Sequence, residues 1–371
     1  MRFLIISHVL HAKKDDQFYG YAPYVREMNL WVKHAEEVEI VAPIEGEIVS
    51  EIDLAYKHGN ITFTKIPSTQ FTSITYCLKS LIKIPIIKWK IFRACLRADH
   101  IHLRCPGNTA LFGVLIQICF PKKIKTAKYA GNWDPKSKQP LSYRFQKSLL
   151  SNTFLTKNMQ VLVYGDWPSQ SKNIKSFFTA TFKQSEIIEF KEKDFTSELN
   201  FIFIGSLVAG KGPLEAIRII QHLKKEGFNV NLQLFGDGVL KTSIQDYIDK
   251  NELNHFVKLR GNVNKDKIKE ALSSAHFSLL LSKSEGWPKA IAEAMFYGVI
   301  PISTKVSCVP WMLGYGKRGI LVSDDFESTI DSIKRKIKGE DLNVMSKAAL
   351  DWSQQYTLDT FEDEIRKLLK N

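Results

Sequence analysis

The sequence of 371 residues has no apolar run long enough to cross a bilayer. The nearest candidate for a membrane-spanning helix is the segment from Thr109 to Phe120, which is a dozen residues long. A membrane-spanning helix needs roughly 20 residues. The apolar run near Met1 is too short for a secretory signal peptide. Cysteine is also scarce: there are five, an odd number without paired spacing, which indicates neither a disulfide framework nor a zinc site. These absences favour a cytoplasmic protein.

Acidic residues are nearly missing from residues 61–165. Seventeen Lys and Arg stand there against two acids, a net charge of +15, and because the whole chain carries +13 the rest sums to −2. A one-sided basic field favours an anionic partner. The stretch from Leu78 to Arg97 interleaves basic residues with Leu, Ile, Trp and Phe, as do segments that lie in a headgroup layer. We therefore expect peripheral attachment to the inner face of the cell membrane, and no nucleic-acid partner; the alternative is a solvated helix face.

The composition, 44% hydrophobic and 25% charged, is typical of a folded chain, and the length predicts two domains. Short apolar runs alternate with helix-length segments, which indicates parallel sheets covered by helices. We predict an α/β fold of two Rossmann-like, doubly wound domains facing a cleft, at residues 1–183 and 200–352. A linker at 184–199 joins them, and a C-terminal helix at 353–371 packs back on the first domain. The expected strands are 3–6, 38–42, 61–65, 100–103, 124–129, 161–164, 201–204, 230–235, 256–259, 277–281, 299–303 and 319–322.

A glycine-rich loop, Gly205 to Gly212, follows the apolar run 201–204 and leads to a helix that begins at Pro213. Free N–H groups at a helix start and a nearby cation, Lys211, can bind an anion. The spacing approaches a nucleotide-triphosphatase phosphate loop, but Gly212 stands where that motif needs a hydroxyl for magnesium. We expect this loop to bind a diphosphate without a metal; the alternative is a structural turn with a solvent lysine.

Two glutamates, Glu285 and Glu293, flank the start of another predicted helix, after the strand 277–281. Pro288 fits the first turn of this helix, and Gly298 fits its end. Glu293 lies among Ala, Ile, Met and Phe, where a carboxylate without partners would cost several kcal/mol. The hydroxyls of a ribose would serve as partners, and a protein donor such as a neighbouring lysine is the alternative.

The two glutamates, with seven residues between them, resemble the hallmark of the retaining glycosyltransferases of family four, the glycosyl transferases group 1, which have the GT-B fold. Further segments are similar to that family: Gly205–Leu207 with Lys211–Gly212, Leu234–Gly238, Leu259–Val263 and Gly298–Pro301. The resemblance implies transfer of a hexose-type sugar, with retention, from a nucleotide-sugar to a hydroxyl of a glycan or lipid-linked glycan. Synthesis of a cell-surface polysaccharide, such as lipopolysaccharide or capsule, is the implied setting. We expect no metal or other cofactor.

The resemblance also implies roles for single residues. Glu285 contacts the donor sugar nearest the reacting carbon, Glu293 takes the ribose hydroxyls, and Lys211 neutralises the departing diphosphate. Val263 and its neighbours contact the base. The resemblance also implies that the N-terminal domain binds the acceptor and the C-terminal domain binds the nucleotide-sugar. Gly286, Trp287 and Lys289 help hold the sugar and diphosphate through their backbone N–H groups. The remaining expected donor-binding residues are Gly205, Ser206, Pro288 and, in the first half, Gly20.

Three positions depart from the family's pattern. Ser206 stands where the family usually has arginine, so one charge partner of the phosphates is missing. Pro288 stands where the family often has glycine, so one backbone donor is absent. The double-glycine loop common in relatives is replaced by Tyr19–Tyr24, where Gly20 still allows close approach to phosphates.

Arg104, at the end of a predicted strand, occupies a position where many relatives place a histidine near the transferred sugar. Arginine stays protonated and therefore cannot be a general base, but it can stabilise charge. With Glu285 and Asp134 it completes the expected catalytic set. For the acceptor we expect Trp133 to stack on a sugar beside Asn132, and Asp134 to orient the hydroxyl. The alternative for this loop is a plain Asn/Asp/Pro turn.

Two other functions stay open. The missing arginine at Ser206 and the histidine replaced by Arg104 also fit a non-catalytic sugar-nucleotide or glycan-binding protein. A GT-B epimerase that acts on the nucleotide-sugar alone would need ionisable acid and base groups at the sugar, and Asp134 is the clear candidate in the first half. The sequence identifies neither the sugar, the base nor the acceptor.

Overall fold

A computed structural model describes residues 1–46, 48–50, 52–68, 74–339 and 341–370; the side chains of 74–79 and 81, including Lys79 and Leu81 of the basic stretch, lie outside the described set. The chain divides into two compact units. The first is Met1–Phe177 together with the residues from Phe361 onward, and the second is Phe178–Thr360. Each contains a large, fully parallel sheet with helices between its strands, so the predicted α/β class with two Rossmann-like domains is confirmed.

The first unit is built on a seven-stranded parallel sheet. Its elements in chain order are β1 (Arg2–Ile6), β2 (His11–Lys14), β3 (Gln17–Tyr21), α1 (Ala22–Val32), β4 (Glu37–Pro43), β5 (Asp53–Ala55), β6 (Ile61–Ile66), α2 (Ile74–Arg97), β7 (His100–Cys105), α3 (Asn108–Ile116), β8 (Ile124–Tyr129), α4 (Leu141–Ser151), β9 (Met159–Tyr164) and β10 (Ile174–Phe177). The strand order is β10-β9-β8-β7-β1-β4-β6. Apolar residues of the central strands, such as Leu4, Ile101 and Ala127, are fully buried, which is why these strands read as continuous apolar runs.

A small antiparallel sheet of β2, β3 and β5 was not predicted. These strands are three to five residues long and rich in Lys, Asp and Tyr, so they lack the apolar alternation that signals a strand. Asp15 and Asp16 form the turn between β2 and β3 with positive φ of 47° and 58°, which two-residue hairpin turns require. The segment Tyr19–Tyr24, expected as a loop, is the end of β3 and the start of α1. The strand β10 was also missed.

The second unit is built on a six-stranded parallel sheet. Its elements are β11 (Leu199–Ile204), α5 (Pro213–Lys225), β12 (Val230–Phe235), α6 (Lys241–Lys250), β13 (Val257–Gly261), α7 (Lys265–Ser274), β14 (Phe277–Leu280), α8 (Lys289–Phe296), β15 (Ile300–Thr304), α9 (Val309–Met312), β16 (Ile320–Val322), α10 (Phe326–Gly339), α11 (Leu342–Ser353) and the start of α12 (Leu358–Lys370). The strand order is β13-β12-β11-β14-β15-β16. The order reverses between β11 and β14, and ligands of such sheets bind beyond the carboxyl ends of the strands at this reversal.

The division of the chain differs in detail from the expected boundaries. The first unit ends at Phe177 instead of residue 183, and residues 184–199, expected as a linker, belong to the second unit. The expected C-terminal helix at 353–371 corresponds to α12 alone, because α11 ends at Ser353. From Phe361 onward, α12 belongs to the first unit. In the described part of the chain, no helix is long and apolar enough to cross a membrane.

Candidate functional site

The glycine-rich loop after β11 crosses the end of β14 at close range. Gly212 has φ of 69°, and a Cβ there would lie 2.7 Å from the backbone oxygen of Leu281. Both the left-handed backbone and the lack of space require glycine at this position. Pro213 then opens α5 at its first position. The approach brings Lys211 to the loop after β14.

Lys211 forms an ion pair with Glu285, whose carboxylate Oε1 lies 2.5 Å from the lysine Nζ. The Glu285 side chain is 7% exposed and that of Lys211 is 32% exposed. Two residues with separately predicted roles, 74 positions apart in the chain, are therefore in contact. A charge-assisted hydrogen bond of this kind is about twice as strong as a neutral one. A cation is thus held beside a carboxylate at the carboxyl edge of the sheet.

A cavity of about 340 Å³ lies at the ends of β11, β12 and β13. It brings together three predicted donor-binding residues, Gly205, Ser206 and Val263. Gly236, with φ of 136°, also lines it, and a Cβ at Gly236 would be 2.0 Å from the backbone oxygen of Gly205. Asp237, Gly261 and Asn262 line this cavity too. Together with Gly236 they lie in the segments Leu234–Gly238 and Leu259–Val263 that resemble the family, although none of the four is a singly predicted site residue.

The loop from Gly286 to Lys289 is stabilised by hydrogen bonds from residues outside the loop. The carbonyl oxygen of Gly286 accepts hydrogen bonds from Ser307 Oγ at 3.3 Å and from Cys308 Sγ at 3.1 Å. Pro288 is the N-cap residue of α8 and not part of the first turn as predicted, since its ψ of 92° is extended rather than helical. Lys289 is the first residue of α8, so its N–H lies among the free donors of the helix start.

Trp287, in the same loop, is 7% exposed. Its ring packs among Trp311, Trp352 and Tyr356, with centroid distances of 6.3, 6.2 and 5.8 Å. The side chain therefore anchors the loop in the core of the second unit. The predicted role of Trp287, binding through its backbone, is compatible with this burial.

Glu293 lies inside α8 and accepts a hydrogen bond from the hydroxyl of Thr181 at 2.7 Å. Burial raises the pKa of Glu293, although the Thr181 hydrogen bond and the charges of Lys289 and Lys265 act in the opposite direction. Its protein partner is thus a hydroxyl and not a neighbouring lysine. Thr181 is 112 positions away in the chain, so nothing in the sequence pointed to it.

Arg104, in the first unit, is bound to a carboxylate that the sequence analysis missed. Its Nη1 lies 2.7 Å from Oε1 of Glu27, and the Nζ of Lys128 lies 3.1 Å from the same oxygen. Burial opposes ionisation of Glu27, but Arg104 and then Lys128 outweigh it and lower the pKa of Glu27 to about 2. The guanidinium also lies 5.5 Å from the ring of Tyr24.

The predicted acceptor loop forms a turn stabilised by its own side chains. Asn132 Oδ1 accepts from the N–H of Asp134 at 2.8 Å, and Asp134 Oδ1 accepts from the N–H of Lys136 at 2.8 Å. Trp133 is only 5% exposed and packs edge-on against Tyr129. These contacts agree with the alternative of an Asn/Asp/Pro turn. The acceptor roles of Asn132, Trp133 and Asp134 stay predictions, and stacking on Trp133 would require its ring to become exposed.

Gly20 lies in β3 and is buried. A Cβ at Gly20 would lie 3.3 Å from the ring of His11 and 3.3 Å from Val25. The close approach at this glycine is therefore made by the protein's own side chains. Contact of Gly20 with donor phosphates stays a prediction.

Residues 184–352 match the family model described as Glycosyl transferases group 1. The second unit is a group 1 glycosyltransferase domain. The resemblance inferred from the two glutamates and the loops around them is thereby confirmed. The roles of the single residues stay predictions.

The proteins that match this chain are distant relatives. The WcaL glycosyltransferase of Salmonella typhimurium, named for colanic acid biosynthesis, is 29% identical over 133 residues, 34% of this chain and 33% of that protein. The matches span about a third to a half of the length of the curated relatives. Among solved structures, Anabaena HepE in complex with UDP has a TM-score of 0.67 at 14% identity over 100% of both chains. The lipopolysaccharide outer core galactosyltransferase WaaB has a TM-score of 0.66 at 14% identity, over 100% of this chain and 99% of its own. These likenesses show the GT-B fold.

Replacing Glu293 with Gln should stabilise the free protein at neutral pH. Glutamine keeps the acceptor for Thr181 and removes a charge that burial disfavours, a gain on the order of 1 kcal/mol. Because the folded-state pKa of Glu293 is raised, the wild type loses stability as pH rises from the ordinary glutamate pKa of 4.5 through the raised folded-state pKa. The advantage of Glu293→Gln should therefore be absent in acid and grow toward neutral pH. Thermal melts across pH measure it, with the exposed Glu189→Gln as control.

Proposed function

We propose that this chain is a retaining glycosyltransferase, which moves a hexose-type sugar from a nucleoside-diphosphate sugar to a hydroxyl of a glycan or lipid-linked glycan. The observation that carries the proposal is the contact between Lys211 and Glu285. It holds a cation suited to a diphosphate beside the carboxylate that the family resemblance assigns to the donor sugar. The cavity at Val263 and the carboxylate of Glu293 offer places for the base and the ribose.

The names of the similar proteins support the substrate class. One is named for colanic acid biosynthesis, another for the outer core of lipopolysaccharide, and the HepE structure holds UDP. We therefore propose a role in cell-surface polysaccharide synthesis, with UDP-sugars as the first donors to test.

The proposed reaction needs little covalent chemistry from the protein. The bond between the anomeric carbon and the phosphate oxygen breaks, and the electron pair goes to the diphosphate. Lys211 and the free N–H groups at the start of α8 stabilise the charge that develops there. The acceptor hydroxyl attacks from the same face and gives its proton to the departing phosphate oxygen. In this proposal the fixed charges take the place of a metal ion.

Glu285→Gln should retain UDP binding but lose about 10²–10³-fold in transfer rate, the usual cost of removing one preorganised electrostatic group. The substitution keeps the size of the side chain and leaves Lys211 in place. Release of UDP from UDP-sugars by the full-length protein, with and without acceptor, measures it. Binding of UDP without any release by the wild type would instead favour the non-catalytic binding protein. Wild-type rates in the variant would remove Glu285 from catalysis.

Lys211→Ala should weaken binding of UDP by about 1.5–3 kcal/mol, the contribution of a hydrogen bond to a charged group. Binding of uridine should change much less, because uridine has no diphosphate. Lys283→Ala is the matched control, since Lys283 is an exposed lysine two positions from Glu285. Calorimetric titration measures the affinity of each variant for UDP and for uridine. Equal losses of affinity for the two ligands would mean that Lys211 does not contact the diphosphate.

We further propose that α2 attaches the chain to an anionic membrane surface. Ile82, Ile86 and Trp89 are 82%, 50% and 58% exposed, and their spacing of three and four residues places them on one helix face. Arg93, one turn further, lies 5.7 Å from the ring of Trp89. Exposed aromatic and aliphatic side chains beside basic ones suit the boundary between headgroups and acyl chains.

Lys88→Glu with Arg93→Glu should release the protein from anionic vesicles. Each basic residue near such a surface contributes about 1 kcal/mol, and both side chains are exposed. By contrast, Lys83 and Lys90 donate to backbone carbonyl oxygens, so they are poorer choices. Co-sedimentation at low and high salt is the measurement, with Lys250→Glu and Lys258→Glu in the second unit as control. Equal binding by both double variants would contradict attachment through α2.

A further inference from the structure

The end of β7 carries a buried group of charges in which two cations share one carboxylate. Both Arg104 and Lys128 contact the same oxygen, Oε1 of Glu27. The side chains are 13% exposed for Arg104, 0% for Lys128 and 7% for Glu27. Among the residues that the structure describes, Glu27 is the carboxylate within ion-pair distance of either cation. The group therefore has an excess of one positive charge.

Lys128 has a complete set of partners. Besides Glu27, the rings of Tyr164, Phe177 and Phe361 surround its Nζ at 5.4, 5.2 and 4.7 Å, and cations are attracted to aromatic faces at such distances. Arg104 uses one guanidinium nitrogen, Nη1, for Glu27. A guanidinium offers five N–H donors, and Arg104 is the cation of this group that reaches the surface. The excess charge is thus presented at Arg104.

His8 stands beside Arg104 at the same edge of the sheet. It follows β1, the neighbour of β7, and its ring lies over Gly107, where a Cβ would be 2.7 Å from the ring Nδ1. Desolvation, and then the charge of Arg104, lowers the pKa of His8, which favours the neutral ring, and the residue is exposed to solvent. A neutral imidazole has one N–H donor for a ligand oxygen. Gly107 has no side chain, which allows the His8 ring to lie this close to the segment that follows β7.

We infer that Arg104 and His8 form a subsite for an anionic group, a phosphate or a carboxylate, carried by the acceptor. A buried excess charge is costly unless an anion meets it, and arginine binds both groups through two parallel hydrogen bonds. The inference rests on the proposed function, because a subsite for an acceptor presupposes that the protein transfers a sugar to one. It names the class of acceptor: an acidic glycan or a phosphate-bearing one.

The charge count also predicts that Arg104 can be removed without loss of the fold. In Arg104→Gln, Glu27 keeps Lys128, and the pair is balanced one to one. Replacing Glu27 would instead leave two buried cations without a carboxylate and should destabilise the unit strongly. Arg104→Gln is therefore the informative variant, and Arg104→Lys, which keeps the charge but not the planar fork, is the second.

The test uses the full-length protein carrying Lys211→Ala, so that the proposed donor site contributes little phosphate binding. Inorganic phosphate is titrated by calorimetry, and the His8 ring resonances are followed by NMR. Adding Arg104→Gln should weaken phosphate binding about tenfold or more, as loss of a charge-assisted contact does, and should abolish the His8 shifts. Arg104→Lys should be intermediate. The control is Arg218→Gln, an exposed arginine of the second unit, which should change neither.

Three results would overturn the inference. The first is that phosphate does not bind when Arg104 is present, and the second is that phosphate binds equally well to the Arg104→Gln protein. The third is that Arg104→Gln, on an otherwise wild-type background, loses as much affinity for UDP as it loses for phosphate. This third result would assign Arg104 to the donor. If thermal melts show that Arg104→Gln does not fold, Arg104→Lys decides by the same titration, and unchanged affinity overturns the inference. Failure of the proposed function is recognised by a different result: the wild-type protein releases no UDP from any donor.

Discussion

The ion pair between Lys211 and Glu285 joins the loops that follow two neighbouring strands, β11 and β14. It forms only because the chain can cross the end of β14 at Gly212, where any side chain would meet the backbone of Leu281. Apart from Gly20, which lies in the first unit, the other predicted donor residues lie in these two loops, at the end of β13 or on α8, all in the second unit. The geometry of the candidate donor site therefore depends on one close backbone approach and the charge contact it permits.

The same contact sets a condition on ligand binding. Glu285 is nearly buried and has Lys211 as its ion-pair partner, so a diphosphate that takes Lys211 changes the surroundings of Glu285. Under the proposed function, binding of the diphosphate would therefore change the electrostatic environment of the carboxylate at the donor sugar through this one lysine. Under the proposed function, Ser206 offers no charge to the diphosphate, so a larger share of that charge would fall to Lys211.

The two units stabilise their buried charged side chains with different kinds of partners. In the second unit, one cation meets one carboxylate at Glu285, and Glu293 relies on a neutral hydroxyl. In the first unit, Glu27 meets two cations, and aromatic rings complete the surroundings of Lys128. Phe361 of α12 is one of these rings, so the last helix of the chain takes part in the same cluster as the end of β7. Arg104 is therefore part of a buried network that also includes Glu27, Lys128 and the last helix of the chain.

The sequence by itself determined the class of fold and the donor loops. Strands buried on both faces must be apolar, so the strands of the two large sheets could be predicted from apolar runs in the sequence. The carboxyl ends of parallel strands meet at one edge of a sheet, so Gly205, Lys211, Glu285 and Val263 could be assigned to one candidate site. The short sheet of β2, β3 and β5 could not be predicted, because its strands carry no apolar period. Only the tertiary structure decided the partners of the buried charges, Thr181 for Glu293 and Glu27 for Arg104, which lie 112 and 77 positions apart in the chain. Such pairs result from side-chain packing between segments that are distant in the chain. Neither the spacing of residues nor the composition of the sequence predicts which segments pack together.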